Sequence, residues 1–394
     1  MQDIIPVLLG ADLNCYSVAR AFHEAYGVVS HAFGKCELGP IKNSKIIKFR
    51  KIPPLMHGEE ILATLIEFAK GFNKKPYLMG CTDEYALFII KNQKKLSDYY
   101  ICRVPSENIL PILSDKIEFY KLCESIGVSY PEYMCVNCDV FDDKINLSQL
   151  GYPMIIKPSC SFEYWYHEFD GMKKVYTVYS KDEASKVINE IYASGYDKNI
   201  VVQKRISGGP SYVATAYSEN GVIKAMCIGR VVLGENTPKG LGNHVAIFTE
   251  YNDKIYSEVS TVLEKTKYTG MSNFDIVSDS DGKIYLLELN PRQGRSNYYM
   301  TAAGMNVARL IVGDFECPDA VCKNEIFWHC IPRDIVLKYC NESDKNKIKN
   351  LAKKGKIYST MSYADDMKSL SRVLYIAAHN IGFYRKYRSY ADEM

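Results

Sequence analysis

Three oxygen-bearing side chains, Asp275, Glu288 and Asn290, lie on either side of an Asp281-Gly282 dipeptide that separates two apolar runs. Asp-Gly between such runs is a strong hairpin signal. With a two-residue loop at 281–282, Asp275 stands directly opposite Glu288 with both side chains on one face. Two facing carboxylates destabilise a strand pair unless a cation lies between them. Asn290, two residues beyond Glu288, shares their face. An Asp/Glu/Asn set of hard oxygens suits Mg²⁺ that is also held by phosphates. A solvated acidic hairpin is the plainer alternative. Leu286, Leu287 and Leu289 argue against it, because they make the strand a buried one.

Phosphates call for lysines, and two are placed suggestively. Residues 153–158 (Pro-Met-Ile-Ile-Lys-Pro) form a buried-strand pattern that ends in Lys157. Burying an ammonium there is costly unless it meets an anion. Ile155, on the same face, can pack against a nucleobase. Lys116 opens a helical pattern, where its charge has the same sign as the helix dipole, and this too hints at an anionic partner.

These residues need a scaffold. Residues 4–10 read as a buried strand, 14–26 as a helix, 59–72 as a second helix and 76–80 as a second strand. That alternation implies a parallel α/β layer over roughly residues 1–110. Its first turn, Gly10-Ala11-Asp12-Leu13-Asn14, lacks G-x-G-x-x-G and gives little support for a dinucleotide site. A helix over 114–126 has Ser114 or Asp115 as its cap and Gly127 as its stop. Strands are expected at 152–157, 174–179, 200–204, 211–217 and 222–232, with a helix at 181–193, and residues 272–290 form the hairpin. Past residue 316 the pattern fades into mixed helices.

The 394 residues imply two or three packed units. Forty-nine basic against 46 acidic residues, without a basic stripe, exclude an evident nucleic-acid binder. No run of about 18 apolar residues suggests a membrane span. The amino terminus lacks a basic-then-apolar leader, and 13 dispersed cysteines read as reduced thiols, so a cytoplasmic location is expected. Cys135 and Cys138 form a lone pair without zinc-ligand spacing to a second.

In this order the motifs resemble the ATP-grasp superfamily over roughly residues 113–310. They are Lys116, Lys157-Pro158, residues 201–206 (Val-Val-Gln-Lys-Arg-Ile), and Glu288-Leu289-Asn290-Pro291-Arg292. The resemblance implies an α/β (α+β) ATP-grasp fold with an N-terminal Rossmann-like domain at 1–112. A lid subdomain with its linking helix would follow at 113–206, a catalytic subdomain at 207–315 and a helical extension at 316–394. It further implies that Lys116 and Lys157 meet the phosphates of ATP, and that Gln203, Lys204 and Ile206 meet adenine largely through backbone groups. Leu287 would floor the adenine pocket, and Asp275, Glu288 and Asn290 would hold magnesium. The acid that usually follows the adenine hinge to hold the ribose is absent from residues 207–211, which leaves Ser211 or water for that task.

Residues 157–174 and 290–299 also resemble bacterial D-aspartate ligases and their carboxylate–amine ligase relatives. By that resemblance residues 158–172 form a phosphate-covering loop, with Lys173 or Lys174 adding positive charge. Arg292 and Arg295 lie beside the metal, where a planar guanidinium suits carboxylate and acyl-phosphate oxygens. The plainer alternative for one of the two arginines is a pair with a local acid. The implied activity is ATP-dependent activation of an amino-acid carboxylate, the side chain of D-aspartate, and its amidation by a lysine amine of a peptidoglycan precursor. Expected partners are therefore an aspartate-like amino acid and an amine acceptor, with a homodimer left open. His244 is a candidate base, against a plainer packing role. Rival expectations are a ligase for another amino acid or peptide, a biotin-dependent carboxylase and a non-catalytic nucleotide-binding protein.

Overall fold

The computed structural model describes residues 4–137, 147–235, 237, 240, 242–315 and 318–389. Cys138 lies outside them. Three sheets organise the chain. The first is fully parallel, ordered β3-β2-β1-β4, from β1 (Pro6–Leu9), β2 (Ser30–Gly34), β3 (Ile47–Lys51) and β4 (Tyr77–Gly80). Helices cover it, as parallel pairing demands. Leu8, Cys15, Val18, Ala19 and Phe22 are fully buried between β1 and the helix Leu13–Tyr26. This is the expected Rossmann-like layer.

The second sheet is antiparallel, ordered β5-β8-β6-β7, from β5 (Tyr133–Val136), β6 (Met154–Pro158), β7 (Tyr176–Val178) and β8 (Ile200–Lys204). The helix Lys181–Ala193 packs Ala184, Ile188 and Ile191 onto it. The third sheet has seven strands, ordered β13-β12-β9-β10-β11-β14-β15. These are β9 (Gly208–Glu219), β10 (Val222–Gly234), β11 (His244–Thr249), β12 (Gly270–Asp279), β13 (Ile284–Asn290), β14 (Phe327–His329) and β15 (Ile357–Ser359).

Two expectations need correction. Residues 316–394 are not purely helical, because β14 and β15 extend the large sheet beyond β11. The hairpin loop is also one residue longer than expected. Ser278 pairs with Ile284, the Asp279 N–H donates to the Lys283 carbonyl, and residues 280–282 form the turn. Gly282 supplies its left-handed residue at φ +74°. A bulge at Leu287 then restores the register, so Asp275 still faces Glu288.

The last segment is stapled to the first layer by two arginines. Arg20, on the first helix, donates to the carbonyls of Ser359 and Thr360 at 2.7 Å each. Its guanidinium lies between the rings of Tyr298 and Tyr363. Arg372, on the helix Leu370–Ser389, is fully buried against Asp366 at 2.9 Å and donates to the carbonyls of Pro40 and Lys42. No described helix is long and apolar enough to cross a membrane.

Candidate active site

The helix Lys116–Ile126 begins where the second sheet meets the third. Its cap Asp115 accepts from the Ile117 N–H at 2.7 Å and from the Ser159 hydroxyl at 2.7 Å. The Lys116 N–H donates to the Ser159 carbonyl. This clasp brings the start of the helix to the end of β6 and so gathers the lysines. Lys116 Nζ donates to Ser161 Oγ at 2.6 Å and lies 3.4 Å from Glu288 Oε2.

A cavity of ≈ 180 Å³ opens between the two sheets, lined among others by Lys116, Lys157, Lys174, Asp275, Leu287 and Glu288. The bulge explains why neighbours Leu287 and Glu288 both reach it, since alternation alone would send them to opposite faces. Asn290 lines a smaller adjoining cavity with Lys116 and Glu288 and brings its Nδ2 to 3.5 Å from Glu288 Oε1.

The electrostatics are those of a site for ions. Burial raises the Asp275 pKa to about 8, and the adjacent Glu288 charge pushes the same way. Burial acts on Glu288 too, but Lys116, Lys174 and a hydrogen bond from Asp275 hold it well below the usual carboxylate range. Asp275 is thus biased toward its protonated form and Glu288 toward its ionised form. Among the described residues no group of three or more His, Cys, Asp or Glu side chains is arranged to hold a metal ion. A pair of carboxylates with one amide fits Mg²⁺, which keeps several waters and takes further oxygens from phosphates.

Lys157 is buried and donates to the Tyr120 hydroxyl at 3.1 Å, which in turn donates to Gln203 Oε1 at 3.0 Å. Burial, then Lys116, depress the Lys157 pKa to about 7. A polyphosphate beside it would restore the charge. ATP titrated without added magnesium at pH 8, in two buffers of different ionisation enthalpy, should therefore show proton uptake that Lys157→Met lacks. The same variant should weaken ATP binding by about 1.5–3 kcal/mol, the range for a hydrogen bond to a charged group. Equal proton counts in both proteins would remove Lys157 from the phosphate site.

Other expected residues are placed less centrally. Ile155 pairs across the ladder with Gln203, on the sheet that roofs the cavity. The Lys204 N–H is already used by the Glu132 carbonyl and its side chain is exposed, while Ile206 is half-buried beyond the strand. Lys173 points to solvent, and only Lys174 of that pair lines the cavity. His244 and Ser211 line it too. Burial, then Lys174, lower the His244 pKa to about 4, which makes it a weak base at neutral pH.

Both arginines have acidic partners. Arg292 forms a forked contact with Asp83, Nε to Oδ1 at 2.9 Å and Nη2 to Oδ2 at 3.0 Å, and Nη2 also lies 3.5 Å from Asn290 Oδ1. Arg295 Nη1 donates at 2.8 Å to Glu235, a buried acid that Lys386 approaches at 3.7 Å. Gly294 between them packs so tightly on Asn273 that a Cβ would collide with its side chain. Tyr120, Asp83 and Glu235 were not evident from sequence. Their roles come from long-range pairing, which leaves no period in the chain.

Comparison with known proteins adds independent information. A family model described as an ATP-grasp domain matches residues 113–296. D-aspartate ligase of Enterococcus faecium (strain Aus0004) is 33% identical, over 98% of this chain and 97% of that protein. An L-amino acid ligase from Bacillus licheniformis shares the fold with a TM-score of 0.61 at 15% identity, covering 84% of this chain and 81% of that one. The biotin carboxylase domain of Hydrogenobacter thermophilus 2-oxoglutarate carboxylase, solved with MgADP and bicarbonate, has a TM-score of 0.60 at 14% identity, covering 81% and 71%.

Proposed function

Because this chain belongs to the ATP-grasp carboxylate–amine ligases, we propose that it joins the side-chain carboxyl of D-aspartate to the lysine amine of a peptidoglycan precursor. One observation carries the site assignment: Lys116, Lys157 and Lys174 converge on the facing pair Asp275 and Glu288 in one cavity. The name and near-complete overlap of the Enterococcus relative support the choice of amino acid.

A carboxylate does not react with an amine in neutral water because its oxygen is a poor leaving group. Transfer of the γ-phosphoryl group of ATP to that oxygen forms an O–P bond, breaks the bond to ADP and turns the oxygen into phosphate. Lys116, Lys157 and Lys174 balance the charge on the phosphates. Asp275, Glu288 and Asn290 would hold Mg²⁺, which when bound offsets charge on the transferring group. Arg292, next to Asn290, steadies the acyl-phosphate oxygens. Residues 158–172 close over the site and keep water from the acyl phosphate. The reading places the protein in the cytoplasm, where ATP is available.

The test is a screen of ATP-dependent phosphate release against D- and L-amino acids, with and without a lysine-containing peptide. Release with D-aspartate that rises with the peptide supports the proposal. Release with bicarbonate alone, or with no added acid, would replace it by a carboxylase or by a nucleotide-binding protein.

Arg295 is assigned to the α-carboxylate of the amino acid, with Glu235 positioned for the α-ammonium. Arg295→Lys keeps the charge but loses the planar fork. It should raise KM for the amino acid about tenfold or more, the scale of one charged hydrogen bond, with little change in KM for ATP. The opposite pattern would exchange the roles of Arg292 and Arg295.

A further inference from the structure

Beside the cavity just described lies a second one of ≈ 360 Å³. Its floor is made by the turns that leave β1, β2 and β4, and its far wall by Phe162 and Trp165 of the phosphate-covering segment. Two helices, Leu13–Tyr26 and Asp83–Lys91, begin at its edge. Helix starts ordinarily favour an anion. Here the chain's own acids already meet that need: Asp12 caps the first helix, accepting from the Cys15 N–H at 3.1 Å, and Asp83 and Glu84 occupy the first turn of the second. Asp12, Asp83, Glu84 and Lys35 all line the cavity. Arg292 already pairs with Asp83, which leaves Glu84 as the acid of the second helix open to a cation.

A chain of side-chain contacts links the cavity to the reacting centre. Asp83 grips Arg292, Arg292 reaches Asn290, and Asn290 reaches Glu288, through contacts of 2.9 to 3.5 Å. Burial, and next the charge of Asp83, raise the Glu84 pKa, which makes it a stronger base than an ordinary carboxylate.

We infer that this second cavity receives the primary alkylammonium of the amine substrate, its methylene stem against Phe162 and Trp165 and its head group at Glu84. The assignment rests on the ligase activity proposed above. Glu84 takes one proton from the ammonium, and the freed nitrogen lone pair forms the C–N bond to the acyl carbon. The C–O bond to phosphate then breaks, its electron pair leaves with the phosphate, and the second proton from nitrogen goes to that phosphate. Aromatic faces suit this ligand, because a cation and its apolar stem are both stabilised against them.

The experiment compares two nucleophiles with the same enzyme, ATP and D-aspartate. N-acetyl-lysine amide offers a charged amine on a methylene stem. Hydroxylamine is small, uncharged at neutral pH and traps the acyl phosphate as a hydroxamate without needing the cavity. The quantity read is the ratio of the two kcat/KM values, which cancels any change in acyl-phosphate formation. Glu84→Gln should lower that ratio about tenfold or more, the scale of a lost charged hydrogen bond. Trp165→Ala, on a different element, should lower it about three- to tenfold and decides the matter if Glu84→Gln does not fold. An unchanged ratio in a folded variant overturns the inference while leaving the ligase activity intact. If the wild-type protein forms no hydroxamate with any amino acid, the ligase activity itself falls first.

Discussion

Glu288→Gln should abolish turnover while the protein stays folded. Of the facing pair, Glu288 is the carboxylate that Lys116 and Lys174 hold well below the usual range, and it touches Lys116, Asn290 and Asp275 at once. The amide fits the same space on β13, so the bulge and the ladder to β12 persist. What disappears is the negative charge with which Glu288 would help hold the metal. Losing a single neutral charge-stabilising donor costs about 10²–10³ in rate, and removal of a charged ligand should exceed that. Initial rates at saturating magnesium, together with a urea midpoint for the same preparation, make the check. Wild-type turnover in this variant would show that the hairpin is not the catalytic site.

The second large effect is on stability. Asp366 is fully buried and accepts from the Tyr16 hydroxyl at 2.8 Å, the Ser44 hydroxyl at 2.9 Å and the Lys45 N–H at 2.7 Å, besides facing Arg372. Arg372 lies 4.7 Å above the Tyr16 ring and satisfies the carbonyls of Pro40 and Lys42. Arg372→Met keeps the length of the side chain but leaves a buried carboxylate without its cation and two carbonyls without their donor. Breaking one partner of a buried pair costs about 3–5 kcal/mol. Urea unfolding should register a loss of that size, and Asp366→Asn in the same chain, which removes the charge but keeps an oxygen for the Ser44 and Lys45 donors, should recover part of it. A loss within the ordinary range of surface substitutions would mean that water reaches the pair.

Much of the site was legible because its chemistry sits on regular elements. Three of the four strands of the second sheet and its helix stood out through β-branched runs and helical spacing, with β8 and the helix Lys181–Ala193 read to the residue, whereas β5 went unread. The facing of Asp275 and Glu288 was read correctly from an incorrect loop. The true turn is one residue longer, and the bulge at Leu287 compensates for it. Nothing in the residue types there marks a bulge. The helix Asp253–Lys265 went unread although Ile255, Val259, Val262 and Leu263 show its period and Asn252 its cap. β14 and β15 are only three residues long, too short to show alternation. Asp83 and Glu235 could not be matched to their arginines, because a charged pair between distant elements follows from packing and not from spacing.

The staple at Arg20 has a consequence for how the protein is made. Its two acceptor carbonyls lie 339 and 340 positions later in the chain. At ribosomal speeds of about 5–20 residues per second, the first helix waits roughly 20 to 70 seconds for them. During that time the parallel sheet lacks the partner that covers Arg20 and Tyr16, and a buried guanidinium without acceptors is a poor guest in a finished core. The first layer therefore reaches its final packing only after the segment around Thr360 has left the exit tunnel. A nascent chain arrested just before that point should remain open to proteases at the first helix, and one released beyond Arg372 should not.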